Sequence, residues 1–566
     1  MDLNLMKEET LQTILAETVT TSEMAERIAL AHQDRVDKGY HQQALEVKST
    51  AEMDALFARW WHAQWIEGVT TRNALLERWF SQVLYDDRVH GVKLPLFNTS
   101  TSAIGELTDD SAALVCEPST ATEAKRDDFA YLPQFWCVEV AAEKNPDGSH
   151  VIYAVEHIDP IETVRSGEHL CWVLQKNTYT KEWTDGSYHY MQMQCKPGAG
   201  FAQWPQGTDR TGKTYAYIGN PKYAAGLLNG QMTSGTHLFP ATNHSHTVGV
   251  SAWRKRGAQY SGASGCLLKW QLAMVWLKYG RKGNSGVIEG CSNYYVQSKA
   301  AVAENGVQRI LIPQTEGKNF LVGSTVHIGT STDRWSADAY SIARSVEILG
   351  IEDVSVEGTT YAAVTVDNGG TPFDVTVGAV LSSMPYRSGY NDGVQGYDGS
   401  RTSPAGGKEP GLIQRTEFQT GAYLILSDEL WKWGTNEAGD FTFDCYTCHD
   451  QSKVSGTAIT ADYTKQEDLT MVFPTGTAGG WQYIEDIAIA KDRGVLWPLK
   501  VSTKAGSGTG NKAGMYVGPA TDGLRGAWCC CTLYYVGYAG LPARASHNFP
   551  GYSSSYGGVG APGLSG

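Results

Sequence analysis

The sequence predicts a multidomain α+β chain. Apolar spacings of three and four run through the first 95 residues, short β-prone runs between turn residues fill most of the remainder, and one long apolar helix lies near the middle. At 566 residues the chain has room for about three or four domains with sizeable cores.

Residues 1–95 read as a helical attachment or oligomerisation region. "EETLQTILAETV" and "SEMAERIALAHQDRV" carry the helical spacing, with Thr20 and Glu23 as a capping box for the second. "TAEMDALFARWWHAQWIEG" starts with Thr50 as N-cap and stops at Gly68, and "TTRNALLERWFSQVLYDD" repeats the pattern. Trp60, Trp61, Trp65, Trp79 and Phe80 are too many large aromatics for an isolated helix pair, so they are assigned to a core or a subunit contact.

Residues 96–299 read as a β-rich region. Asn145-Pro146-Asp147-Gly148 and Asp185-Gly186 are the expected turns of two hairpins. "SGCLLKWQLAMVWLKYG" is apolar nearly all round from Cys266 to Leu277 and closes on Lys278-Tyr279-Gly280, so it predicts a buried helix with a glycine stop. Residues 300–385 hold five short β-prone segments, the count and length of a small β-barrel-like insert. The Gly-rich stretch from Ser388 to Gly411 reads as a long ligand-facing or intersubunit loop. Strands then resume from about Leu412, within a last domain spanning 386–566.

A net charge of −14 argues against nucleic acid as the main partner. No run of 18 apolar residues exists to cross a membrane, and the N-terminus lacks the apolar core of a secretory signal. Eleven scattered Cys, an odd number, fit free thiols rather than a disulfide framework.

Among candidate chemistry, Cys445-Tyr446-Thr447-Cys448-His449 matches the CxxCH haem-attachment string, but without an export signal it reads as structural thiols. His244 and His246, two apart, would share one face of a strand and could both meet one metal ion, with His237 nearby. The acidic pairs Asp109-Asp110, Asp127-Asp128 and Glu485-Asp486 read as surface charge, and no nucleophile-elbow, zinc-protease or phosphate-loop string is present. No catalytic residue and no cofactor is expected.

The most informative segment is Cys529–Gly566. Its 38 residues lack Lys, Glu, Gln, Met and Trp and carry one charge, Arg544, where proportion would place about seven. None of the five missing types has a codon ending in C or T, and every type present does. This is the residue set left when Asn codons are mutated at their adenines. Six aromatics, Tyr534, Tyr535, Tyr538, Phe549, Tyr552 and Tyr556, set the segment apart from a disordered Gly/Ser tail.

Trp528, "AGLPARASHN" and "GVGAPGLSG" resemble the variable-region ending of C-type-lectin-fold proteins, which retroelements diversify and bacteriophages often carry. The close match spans about 40 residues. The resemblance implies a C-terminal C-type-lectin-like domain in which Gly540, Leu541, Pro542, Arg544, Gly560 and Leu564 are framework. It implies display, and so ligand contact, for Cys529, Cys530, Tyr534, Tyr535, Tyr538, His547, Tyr552, Ser554 and Tyr556. The run Cys529-Cys530-Cys531 is unusual for an exposed surface. The expectation is therefore a phage virion adhesin, assembled in the host cytoplasm as a homotrimer beside other virion proteins. It would bind a bacterial surface receptor, protein or glycan, without inserting into a membrane. Two rivals are a glycan-cutting tail spike, which calls for a carboxylate-lined groove in 96–240 or 412–525, and a structural decoration protein.

Overall fold

The computed structural model describes residues 24, 27, 30, 33–96, 104–292, 295–333, 336–502, 511, 513–518, 522–530, 538–553 and 557–564. The Thr20–Glu23 capping box lies outside them. The chain divides into two compact units, Met1–Asp86 and Asp87–Gly566, and its architecture is mixed helix and antiparallel sheet.

In the first unit, residues 33–46 are helical, followed by helices Thr50–Gln64 and Arg72–Arg78. Ser49, not Thr50, caps the second helix, because its hydroxyl accepts from the Glu52 amide. That helix ends at Gln64, a turn before Gly68. Thr71 caps the third, whose last turn widens into a π-turn over Trp79–Val83. Trp60, Trp61, Trp79 and Phe80 are buried. The rings of Trp60 and Phe57 pack on Trp79 at 5.3 and 5.1 Å. Asp37 accepts from Trp60 Nε1 at 2.9 Å and pairs with Arg78, tying the three helices together.

The second unit is built around the helix Gly265–Tyr279. Ser264 caps its start, and Gly280, at φ 61°, ends it in the left-handed conformation that glycine adopts without a Cβ penalty. Every residue from Gly265 to Lys278 is buried. The two lysines are buried as ion pairs: Lys269 with Glu182 at 2.8 Å, and Lys278 with Asp127 and Asp398 at 2.9 and 2.8 Å. Sheets surround the helix. Hairpin Cys137–Lys144/His150–Val155 turns at Gly148 and belongs to a four-stranded sheet. Hairpin Tyr179–Thr184/Tyr188–Gln194 turns at Gly186 and belongs to a five-stranded one.

Between 297 and 384 lies a six-stranded antiparallel sheet with its own apolar core. It is a curled open sheet rather than the expected barrel. Its three-residue edge strand, Gln297–Lys299, is too short to pair along the opposite edge, and the chain leaves for a separate ribbon with Phe373–Val375. A lone bond from Ala301 N to Leu311 O (2.8 Å) reaches across the gap.

The Gly-rich stretch 388–411 is anchored to the second unit through its carboxylates, while Arg401, Thr402, Ser403 and Lys408 are exposed. Asp398 meets Lys278, Asp392 accepts from the Tyr223 hydroxyl, and Glu409 holds Thr402 and Ser403. After it, the long strand Tyr423–Thr435 pairs with Phe441–Thr447 on one side and Gly523–Cys529 on the other. A three-stranded sheet, Pro498–Ser502, Gly480–Ile487 and Gly514–Val517, completes the C-terminal region. No helix among the described residues is long and apolar enough to cross a membrane.

Candidate ligand-binding surface

The segment after Trp528 is laced onto this frame mainly by main-chain hydrogen bonds. Gly514 N donates to Tyr538 O, Arg544 N to Gly514 O, and Tyr516 N to Arg544 O, each at 2.9 Å. Ala545 N donates to Trp528 O (2.8 Å), and Gly526 N to Asn548 O (3.0 Å). Gly557–Val559 then lies parallel to Tyr423–Ile425. Gly540, Leu541, Pro542, Arg544, Gly560 and Leu564 are all buried. A Cβ on Gly560 would collide with Ala263 and Leu424. Arg544 is a hub: its guanidinium donates to the carbonyls of Leu496, Pro542 and Ala543 and lies over the Trp431 ring.

The display set divides in three. Cys529 and Cys530 are buried, at 0% and 3% exposure, and so cannot contact a ligand from the surface. Cys529 lies opposite Leu424 inside the strand pair, and burial pushes the Cys530 thiol up to about 12. Tyr534, Tyr535, Ser554 and Tyr556 lie outside the described residues. Tyr538, His547 and Tyr552 reach the surface, joined by exposed Phe549.

Tyr538 stacks between Tyr483 and Trp481, with centroids at 4.6 and 5.3 Å and both planes tilted 25°. Gly514 makes room for this stack, since a Cβ there would lie 2.6 Å from Tyr538 Cδ1. His547 packs on Tyr516 at 4.3 Å, and Trp481 touches both. Desolvation, reinforced by Arg525, lowers the His547 pKa to about 4, so the ring is neutral in neutral solution. Tyr552 lies over Trp528 at 5.8 Å, and Phe549 covers the buried Arg525 guanidinium at 4.3 Å. The result is a half-buried aromatic surface with hydrogen-bonding rims, suited to flat stacking contacts. Trp481, Tyr483 and Tyr516 were missing from the sequence-derived set. The spacing of Trp481 and Tyr483, two apart on a strand, was the signal that could have found them.

The metal expectation at His244 and His246 does not hold. Ser245 caps a helix, His246–Arg254, instead of sitting in a strand, so the two rings do not share a face. His244 bonds the Thr242 carbonyl, while both nitrogens of buried His246 face the carbonyls of Gly456 and Ser427. Exposed His237 sits apart in a loop. Among the described residues, the grouping with metal-ligand spacing is Cys116, Asp127 and Asp398. The Lys278 ammonium occupies that position, at hydrogen-bond distance from both carboxylates.

In the CxxCH string, Cys445 and Cys448 are buried free thiols. His449 turns instead to Asp492, with Nε2–Oδ2 at 2.5 Å. Burial opposes its charge, yet the bond to Asp492 and that carboxylate's field hold the imidazole up at about 9. Beside it, burial raises Asp428, whose carboxylate accepts from the Ser264 hydroxyl and the Gly265 amide at 2.5 and 3.0 Å. Burial also lifts Glu429 to about 7.

No protein-family model matches the chain, and no curated protein matches it significantly.

Proposed function

We propose that this chain is a phage virion adhesin that binds a bacterial surface receptor through a C-type-lectin-like C-terminal region. The observation that carries the reading is the Tyr483–Tyr538–Trp481 stack, continued by Tyr516 and His547 and flanked by exposed Phe549 and Tyr552. Tyr538, His547, Phe549 and Tyr552 stand on a segment held by main-chain bonds and by buried Arg544, while Trp481, Tyr483 and Tyr516 stand on the three-stranded sheet beside it. Aromatic rings give large contact area at low rotamer cost, and several copies per particle would raise weak single contacts by orders of magnitude through avidity. The helical first unit would attach the protein to the virion and support a homotrimer. The mechanism is binding, with no bond made or broken.

The test is host range. Particles carrying substitutions at Tyr538, His547, Phe549 and Tyr552 should assemble but lose or change their host. Particles that fail to assemble would favour a structural decoration role instead. A specific observation favours the glycan-cutting rival as a second reading. A cleft is lined by Asp209, Asp428 and Asp450, drawn from the two segments where that reading called for carboxylates. Shortening of host glycan by purified protein would establish it over pure adhesion.

A further inference from the structure

Buried Lys222, Lys269, Lys278 and Lys282 of the second unit all meet carboxylates, but not in the same way. Lys222 shares Glu139 with Arg165 and Arg415, two guanidiniums that keep that carboxylate ionised. Lys269 and Lys282 are paired with Glu182 and Asp486. Lys278 stands between Asp398 and Asp127, at 2.8 and 2.9 Å, and also reaches Gln414 Oε1 at 2.8 Å. The Tyr279 hydroxyl donates to Asp398 Oδ2 at 2.9 Å and the Gln414 amide to its Oδ1 at 2.6 Å, so neutral donors polarise both oxygens of that carboxyl group. The Lys278 and Asp398 side chains are 0% and 1% exposed, and Asp127, at 11%, lies nearest the solvent. Fixed contact replaces a chance encounter, and exclusion of water prevents hydrolysis of what forms.

From this geometry we infer that Lys278 and Asp398 become joined by an isopeptide bond, which ties the central helix to the stretch 388–411. Burial opposes the Lys278 charge, while the fields of Asp127 and Asp398 outweigh it and hold the ammonium above the ordinary lysine range. Reaction therefore starts from the small fraction in which one proton has passed from Nζ to Asp398, leaving an amine beside a carboxylic acid. Nζ attacks Cγ of Asp398 and the N–C bond forms. The Asp127 carboxylate takes a proton from the nitrogen and delivers it to the departing Asp398 hydroxyl, which leaves as water while the C–O bond breaks. Asp127 ends as it began, and no other reactant is consumed. The inference is independent of the adhesin reading, because none of these groups belongs to the aromatic surface.

The test is mass spectrometry of the purified full chain, denatured after it has aged to constant mass. The bond removes one water, about 18 Da. Tryptic digestion should release residues 270–281 and 388–401 as one branched peptide, uncut after Lys278. Closure of Asp398-Gly399 to a succinimide loses the same mass but leaves linear peptides, so the branch decides. Lys278→Met should show no branch. Asp127→Asn keeps both reacting groups and should lower the branched fraction roughly tenfold or more. Linear peptides alone from the parent, or a branch at Asp127 instead of Asp398, overturn the inference. A parent-like branched fraction in Asp127→Asn overturns the role given to Asp127. The parent's peptides decide the bond whether or not the variants fold.

Discussion

Replacing Tyr538 by Ala removes the middle ring of the stack. Tyr538 contacts Tyr483 at 4.6 Å and Trp481 at 5.3 Å, and each aromatic pair contributes about 0.5–1.5 kcal/mol beyond its buried area. The local fold should therefore lose about 1–3 kcal/mol, a cost the unit tolerates because the main-chain bonds around Tyr538 O and Arg544 remain. A central aromatic at a binding surface is worth about 2 kcal/mol or more, a loss of roughly 30-fold in single-site affinity. Tyr538→Phe keeps both ring contacts and should bind within a few-fold of the parent. The assay is the affinity of purified protein for host cells, with particle adsorption rate alongside and thermal melting as the control for folding. If Tyr538→Ala and Trp481→Ala both melt as a folded protein and still bind host cells like the parent, the receptor surface is elsewhere.

Other substitutions probe the frame. Lys278→Met should destabilise by about 3–5 kcal/mol by stranding two buried carboxylates, and adding Asp398→Asn should recover part of that loss, read by denaturant unfolding. Arg544→Met leaves the carbonyls of Leu496, Pro542 and Ala543 without their donor, at a cost of about 2–4 kcal/mol. Proteolysis should then begin in the last 40 or so residues. The His449–Asp492 pair gives a pH signature. The folded His449 pKa of about 9 exceeds the ordinary 6.5, so its contribution is full below 6.5 and is lost as pH rises through 9. Asp492, held below its ordinary 3.8, adds stability above that pH and loses it on acidification. With the imidazole 42% exposed, screening keeps the effect small. The melting difference between parent and His449→Gln should peak near about pH 5–6 and vanish above about pH 10. Cys529 and Cys530 should resist iodoacetamide in native protein and react after unfolding, as mass spectrometry would show.

The features legible in the sequence were those written locally. The helix Gly265–Tyr279 could be read because its cap, apolar run and glycine stop agree, and the hairpins at Gly148 and Gly186 because turn chemistry specifies them. What failed depended on long-range context. His244-Ser245-His246 satisfies a strand pattern and a helix cap equally, and the choice is made by Ser427 and Gly456, some two hundred residues away. The burial of Cys529 depends on which face the partner strand Tyr423–Thr435 covers, and one register step would reverse it. The burial of Asp398 within 388–411 rests on Lys278, a basic residue that the helix pattern placed at its end without showing its partners. Of the candidate surface, the sequence pointed to Tyr538, His547 and Tyr552, while the supporting aromatics Trp481, Tyr483 and Tyr516 come from another sheet.

The bonds that anchor the final segment run chiefly between peptide groups: Gly514 to Tyr538, Tyr516 to Arg544, Gly526 to Asn548 and Ala545 to Trp528. A peptide group is the same whichever side chain it carries. Inherited changes at Tyr538, His547 or Tyr552 therefore leave the scaffold's fastenings in place, and a lineage can sample new surfaces without first repairing its fold.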